Sequence, residues 1–267
     1  MHMKESLPTV DVFLPTYNAE DFLKTTLESV LNQSYSNIKI LIGDDSSTDN
    51  TSLIIKEYYS KHPNKIEFFI NNINLGITKN CNKILRKSKS KYMIFLAGDD
   101  YLRSDAIKKK MDIMLQYKKT VLVGSGISHV DVKGKFLNYH HQKYKFTQNG
   151  NLNWIKYGMI WGGTGILIKR KPLFFSENLT RASDYKFFVD HIGYNGEIRF
   201  LDENLIYYRR HSNSITNNKA KKMALLKDHL ITRLMFFNYD YVTFYDSFFS
   251  VANFVLRPIY NRLFKKK

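Results

Sequence analysis

Two adjacent carboxylates, Asp99 and Asp100, close the apolar run Tyr92-Met93-Ile94-Phe95-Leu96-Ala97-Gly98. A strand end holds such groups on rigid backbone while the following loop leaves them exposed, so the pair can hold a divalent cation and a sugar hydroxyl. An acidic pair at a strand-to-helix turn also serves as a helix cap or a solvated turn, and the local sequence leaves those roles open. Other strand-like runs end in equally distinctive loops: Pro15-Thr16-Tyr17-Asn18, Asp44-Asp45-Ser46-Ser47-Thr48-Asp49, and Asn71 to Gly76. Tyr17 can stack a nucleobase, and Asp45 can accept a hydrogen bond from an imide N–H, which uracil and thymine carry and cytosine lacks. Turn chemistry is the rival role for both residues.

The elements that must position these groups are legible from periodicity. Strands are expected at Val10 to Leu14, Ile38 to Ile42, Ile66 to Ile70 and Tyr92 to Leu96. Between them lie helical patterns: Phe22 to Leu31, one that starts at Thr48 or Asp49 and carries Leu53, Ile54 and Tyr58, and Thr78 to Arg86. Ser104, with Asp105, is expected to cap a further helix through Met111 and Leu115. This βα alternation predicts an α/β fold with a mostly parallel central sheet flanked by helices, in which ligands bind beyond the carboxyl ends of the strands. The second half is less regular, with strands expected at Val121 to Val130, Lys135 to Tyr139, Ile166 to Lys169, Ile198 to Leu201 and Leu205 to Arg209. A helix is expected over Asp184 to Ile192. Residues 1–216 read as the catalytic-looking body and 217–267 as a helical C-terminal tail, whose stripe begins with Met223, Leu226, Leu230, Leu234 and Phe237.

Composition bounds the class. The chain has 267 residues, 43% of them hydrophobic, enough for a core without disulfides. Its one cysteine, Cys81, has no intrachain partner, and Met1 to Pro8 is short and polar, so a reducing cytosol and no signal peptide are expected. Lys and Arg exceed Asp and Glu by 17, which concentrates polyanions around the molecule without choosing among nucleic acid, anionic lipid and nucleotide diphosphate. The uncharged run Ser247 to Leu256 is well short of the ~20 residues that span a bilayer. A basic membrane- or nucleic-acid-binding α/β protein without turnover would explain the charge, but not carboxylates clustered at strand ends. No alternation of aromatic and basic residues points to RNA. A nucleotidyltransferase would be expected to carry a glycine-rich loop after the first strand, which Pro15-Thr16-Tyr17-Asn18 is not.

Taken together, Leu14-Pro15-Thr16-Tyr17-Asn18, Gly43-Asp44-Asp45-Ser46-Ser47-Thr48-Asp49, Asn74-Leu75-Gly76, Leu96-Ala97-Gly98-Asp99-Asp100, Ser183-Asp184-Tyr185 and Tyr207-Tyr208-Arg209-Arg210-His211-Ser212 resemble a known pattern in order and spacing. The chain resembles a family-two, GT-A-fold inverting glycosyltransferase of the bacterial surface-polysaccharide type over roughly Thr9 to Thr216. The resemblance implies transfer of a hexose or N-acetylhexosamine, with inversion, from a nucleotide-diphosphate donor such as a UDP-sugar. The acceptor would be a lipid-linked or lipopolysaccharide glycan such as O-antigen. It assigns Pro15, Tyr17, Asp45, Asp99 and Lys79 to the nucleotide, and Asp99, Asp100 and His211 to Mn²⁺ or Mg²⁺. It assigns Asp184 to base catalysis, with a helix N-cap as the rival role; by their own chemistry Arg209 and Arg210 can bond the diphosphate, and Trp161 with Gly163 can contact the acceptor, a core Trp being the rival. Two positions depart from the fuller motif: Ala97 stands two residues before Asp99 where an acidic residue is usual, and Ser183 precedes Asp184 in place of Glu. The expected location is cytoplasmic and peripheral on the inner face of the cell membrane, held through the tail's Phe248, Phe249, Phe254 and Lys265 to Lys267 against anionic headgroups. No nucleic-acid partner is expected, and the sequence does not fix an oligomeric state.

Overall fold

The computed structural model describes residues 7–139, 163–179, 183–193 and 196–211. Trp161, the Ser212-Asn213-Ser214 segment, the stripe from Met223 to Phe237 and the rest of the tail lie outside the described residues.

The first half builds the expected alternation. β1 (Val10–Thr16), α1 (Leu23–Leu31), β2 (Ile38–Asp44), α2 (Thr51–Lys61), β3 (Ile66–Ile70), α3 (Ile77–Lys87) and β4 (Tyr92–Phe95) follow in order. β1 pairs in parallel with β2 and β4, and β2 with β3. Because successive side chains of a strand point to opposite faces, Val10, Val12 and Leu14 join Leu23 and Leu27 of α1 in one core layer. Phe13 joins Leu41, Ile84, Met93 and Phe95 in a second. With both faces covered by apolar packing, the loops beyond the strands' carboxyl ends carry the polar chemistry.

Past β4 the pattern changes. β5 (Tyr101–Leu102), α4 (Ala106–Gln116), β6 (Thr120–Val130), β7 (Phe136–Tyr139), β8 (Leu167–Lys169), α5 (Ser183–Ile192) and β9 (Glu197–Arg209) complete the described elements. The sheet runs β3-β2-β1-β4-β8-β6-β9-β5, with β7 beside β6. β8 is antiparallel to β4 and β6, β9 is parallel to β6, and β5 and β7 are antiparallel to β9 and β6. The sheet is therefore mixed, and the parallel expectation holds for β3-β2-β1-β4 and for β6 with β9.

Three local expectations are corrected. The two strands expected between Ile198 and Arg209 are one, because β9 shifts register against β6 between Ser125, opposite Leu201, and Gly126, opposite Asn204. A Cβ at Gly126 would lie 2.4 Å from Asn204 Oδ1, so the shift requires glycine there. Ser104 does not cap α4; the helix starts after Asp105, whose carboxylate accepts Arg103 Nε–H at 2.6 Å and makes no cap bond. α2 starts at Thr51, because Asp49 stays in the preceding turn and accepts the Thr51 N–H on Oδ1 at 3.0 Å.

Candidate active site

The register Thr16↔Asp44 makes β1 and β2 end side by side, and the Asp45 N–H donates to Thr16 O at 3.0 Å. The next residues out, Tyr17 and Asp45, therefore leave the sheet as neighbours. Asp44 organises the turn: buried, it accepts Thr16 Oγ1 at 3.1 Å, Ser47 N–H at 3.1 Å and Ser47 Oγ at 2.5 Å. Asp45 is also buried, and its carboxylate accepts Asn71 Nδ2 at 2.9 Å, Leu75 N–H at 2.8 Å and Gly76 N–H at 2.8 Å. Of roughly four lone-pair positions on a carboxylate, three are committed, which fixes its orientation and leaves one for a further donor. Gly76 takes φ +83°, the left-handed region open to glycine, and so aims its N–H back at Asp45. Lys83 Nζ donates to Asn71 Oδ1, holding the amide that holds Asp45. Tyr17 is half exposed, Pro15 half-buried, and Lys79 lies exposed in the first turn of α3.

The Asp99-Asp100 turn is fastened from two sides. From α1, Thr26 Oγ1 lies within bonding distance of Gly98 O at 3.0 Å and Asp100 O at 2.7 Å. From β9, the Arg209 N–H donates to Asp100 Oδ1 at 2.9 Å, and Arg209 Nε–H donates to Asp99 O at 2.9 Å. The two-residue strand β5, pairing Tyr101 with Tyr207, zips β9 against this turn, and β9 then carries His211 to Asp99: Nε2 lies 2.9 Å from Oδ2. Phe22 stacks against His211 with ring centroids 5.0 Å apart.

This arrangement separates the two carboxylates. Asp99 remains partly accessible beside His211. Asp100, expected beside it as a metal ligand, is turned inward; its Oδ1 is taken by Arg209, and its buried Oδ2 makes no hydrogen bond. Burial first and the Asp99 carboxylate second push its pKa well above the ordinary range, against the pull of the Arg209 N–H and the Thr164 hydroxyl. Asp100 anchors β9 and does not present itself to the cleft. Arg209 is likewise redirected from the diphosphate: it is buried, donates Nη1–H to Val132 O at 2.8 Å, and stacks its guanidinium over Phe22. Arg210 is exposed and its Nη2 lies against the His129 ring.

Asp184 opens α5, where its Oδ1 accepts the Tyr185 N–H at 2.8 Å. Protein surrounds the carboxyl while one face keeps some accessibility, and that desolvation pushes its pKa up to about 6, against the pull of the backbone N–H groups. Its charge and that of Asp45 both reach Cys81, so the two carboxylates flank the same part of α3. Ser183, in the place of the usual Glu, sits with its Oγ 3.3 Å from Thr78 Oγ1, tying the start of α5 to α3. Gly163 lies before β8, half-buried. Sequence reasoning missed Thr26, Thr164, Asn71, Lys83 and the structural use of Arg209. A polar residue on the buried face of an amphipathic helix, as Thr26 is among Leu23, Leu27 and Val30, was the available signal.

Among the described residues no group of three or more His, Cys, Asp or Glu converges on a metal position. Asp99 Oδ2 and His211 Nε2 do converge in pairs, one hard oxygen and one imidazole nitrogen. That mixed set fits Mn²⁺ better than Mg²⁺, which favours all-oxygen shells, and phosphate oxygens and water would complete the coordination.

The mixed sheet carries Asp45 and Asp99 in the loops after β2 and β4, with His211 just past β9 and Asp184 in the first turn of α5, and its architecture is that of the GT-A fold. The family model for glycosyl transferase family 2 matches residues 11–173, and the chain belongs to that family: it is a glycosyltransferase. Chondroitin synthase of Escherichia coli is 26% identical over 233 residues, covering 84% of this chain and 32% of that protein. The fold matches that of S. aureus TarS residues 1–349 in complex with UDP-GlcNAc, with TM-score 0.71 and 19% identity over 94% of this chain and 72% of that one. It also matches a mannosyltransferase of Pyrobaculum calidifontis in complex with GDP-Man and Mn²⁺, with TM-score 0.65 and 14% identity over 93% and 70% of the two chains.

Proposed function

We propose that the enzyme transfers a sugar, with inversion, from a uridine or thymidine diphosphate donor to a hydroxyl of a growing polysaccharide, Asp184 acting as the base. The observation that carries this reading is the division of labour among the carboxylates. Asp45 is locked by three donors with one acceptor position left, which suits a single imide N–H and discriminates against cytosine. Tyr17, beside it and half exposed, offers a ring face to the base. Asp99 and His211 would hold Mn²⁺, which when bound supplies Lewis-acid stabilisation to the departing diphosphate. Asp184, with its pKa near 6, is ionised at neutral pH yet basic enough to take the acceptor proton as the hydroxyl attacks. Among the described residues, exposed Lys79 and exposed Arg210, whose Nη2 rests against the His129 ring, are the cations this reading brings to the phosphate, whereas Arg209 and Asp100 position the turn. Gly163 and Trp161 remain on the acceptor side of the reading. The UDP-GlcNAc complex of one fold neighbour supports the uridine donor and the Mn²⁺ of the other, whose donor is GDP-Man, supports the metal, while the similarity to a chondroitin synthase supports a glycan acceptor. A lipid-linked or lipopolysaccharide glycan is the acceptor this reading favours. Among the described residues no helix is long and apolar enough to cross a membrane.

Calorimetry of UDP binding tests the metal pair. In the wild type, Mn²⁺ should tighten UDP by at least ~10-fold, and Asp99→Asn or His211→Ala should remove most of that gain. Equal affinity with and without Mn²⁺ in the wild type would contradict the assignment.

A further inference from the structure

Four of the large hydrophobic side chains that stand exposed in the described structure fall within eight residues of one hairpin: Val132, Phe136, Leu137 and Tyr139, each about half exposed. In the β6–β7 pairing, Ser128 faces Tyr139 and His129 faces Asn138, but Val130 faces Phe136, so Leu137 is an extra, bulged residue. The bulge breaks the alternation that would send Phe136 and Tyr139 to opposite faces, and their rings meet at 4.6 Å. An apolar cluster of this kind on a soluble surface marks a contact.

Charge identifies the partner. Lys133 and Lys135 stand exposed in the same hairpin, and exposed Arg210 follows the end of neighbouring β9. The hairpin's one carboxylate, Asp131, is turned to its own turn, accepting the N–H groups of Lys133 and Lys135 at 2.9 Å each. From Val132 through Ser176 the sequence has no Asp or Glu at all. Half-exposed Phe, Leu and Tyr flanked by lysines, with the hairpin's one carboxylate held by its own turn, match the interfacial zone of a bilayer that presents anionic headgroups.

We propose that the β6–β7 hairpin is a docking surface for an anionic lipid bilayer. Resting on the reading of the cleft given above, the docked hairpin sets the active site at the bilayer surface. The Arg210 N–H bonds Val130 O at 2.8 Å and Arg209 bonds Val132 O, so the hairpin is bolted to the strand that carries His211 to Asp99. An acceptor glycan attached to a lipid would then meet the cleft at the bilayer surface.

Cys81, the chain's single cysteine, is buried, so a Leu137→Cys variant of the full chain can be labelled at position 137 alone with an environment-sensitive nitrobenzoxadiazole dye. Vesicles containing phosphatidylglycerol should raise the emission roughly twofold or more with a blue shift, and pure phosphatidylcholine vesicles should not. Adding Lys133→Glu and Lys135→Glu to the labelled variant should weaken the apparent vesicle affinity by ~10-fold or more. UDP affinity, read by calorimetry, should stay unchanged in every variant, so loss of UDP binding would report on the cleft and not on the hairpin. An unchanged dye signal with phosphatidylglycerol vesicles, or an equal response to phosphatidylcholine, would overturn the proposal. An equal response to soluble heparin would assign the surface to a polyanionic glycan instead and overturn the lipid reading.

Discussion

Asp184→Asn should lower kcat by at least ~10²-fold while leaving the donor Kd within about twofold of wild type, because a general base contributes in the transition state and little to ground-state binding. The wild-type kcat should also fall as the pH drops through about 6, since the carboxylate must be ionised to accept the proton and burial has raised its pKa to that value. Asparagine has no such titration, so the residual activity should lose the acidic limb. Steady-state kinetics between pH 5 and 8 with matched donor calorimetry reads both effects. A variant that keeps wild-type turnover, or one whose donor affinity collapses with kcat, would remove Asp184 from the role of base. The fold-level cost runs the other way. A carboxyl whose folded pKa is raised above its unfolded value destabilises the native state above that unfolded value, so the asparagine variant should not be less stable than wild type at pH 7.

Lys110 makes the second large prediction, on stability. It lies in α4 with its side chain fully buried against β6 and its Nζ donating to Ser125 Oγ at 2.8 Å, and among the described residues no carboxylate acts on it. Desolvation alone pushes its pKa down to about 7. Below that pH the ammonium is charged in both folded and unfolded states and its full desolvation cost is present. Between about 7 and the ordinary lysine value the unfolded chain holds the extra proton, and stability rises with pH by up to ~1.4 kcal/mol per unit. Lys110→Met, similar in length and apolar, should therefore stabilise the protein at pH 7 by a few kcal/mol, on the order of 3. It should also flatten the rise in stability between pH 7 and 9. Urea denaturation of both proteins at several pH values isolates the difference. A destabilised methionine variant, or identical pH slopes, would contradict the account of this lysine.

Much of the first half was legible because its strands are short apolar runs with polar loops at their ends. The elements from β1 to β4 fall within a few residues of expectation, and the register of β1 with β2 makes Tyr17 and Asp45 neighbours. What the sequence could not show is direction. Asp99 and Asp100 are chemically identical and adjacent, and only the two-residue β5, too short for any periodicity, decides that β9 takes the Asp100 carboxylate and leaves Asp99 for His211. Arg209 and Arg210 are a similar pair: strand geometry points successive side chains to opposite sides, so one is buried over Phe22 and the other reaches solvent. The continuity of β9 was hidden because Asp202-Glu203-Asn204 reads as a turn, while Glu203 in fact binds Arg103 and Lys109. The hairpin bulge at Leu137 was equally invisible, since a slip of one residue leaves no mark in composition.

The central claim is tested most directly by diphosphate release from a panel of nucleotide sugars, with Mn²⁺ and with chelator. UDP- or dTDP-sugars should be turned over only when Mn²⁺ is present, and Asp45→Ala should cut their kcat/KM by ~10-fold or more through loss of the base contact. Turnover of CDP- or GDP-sugars at rates equal to the uridine donors, or full activity in chelator, would contradict it.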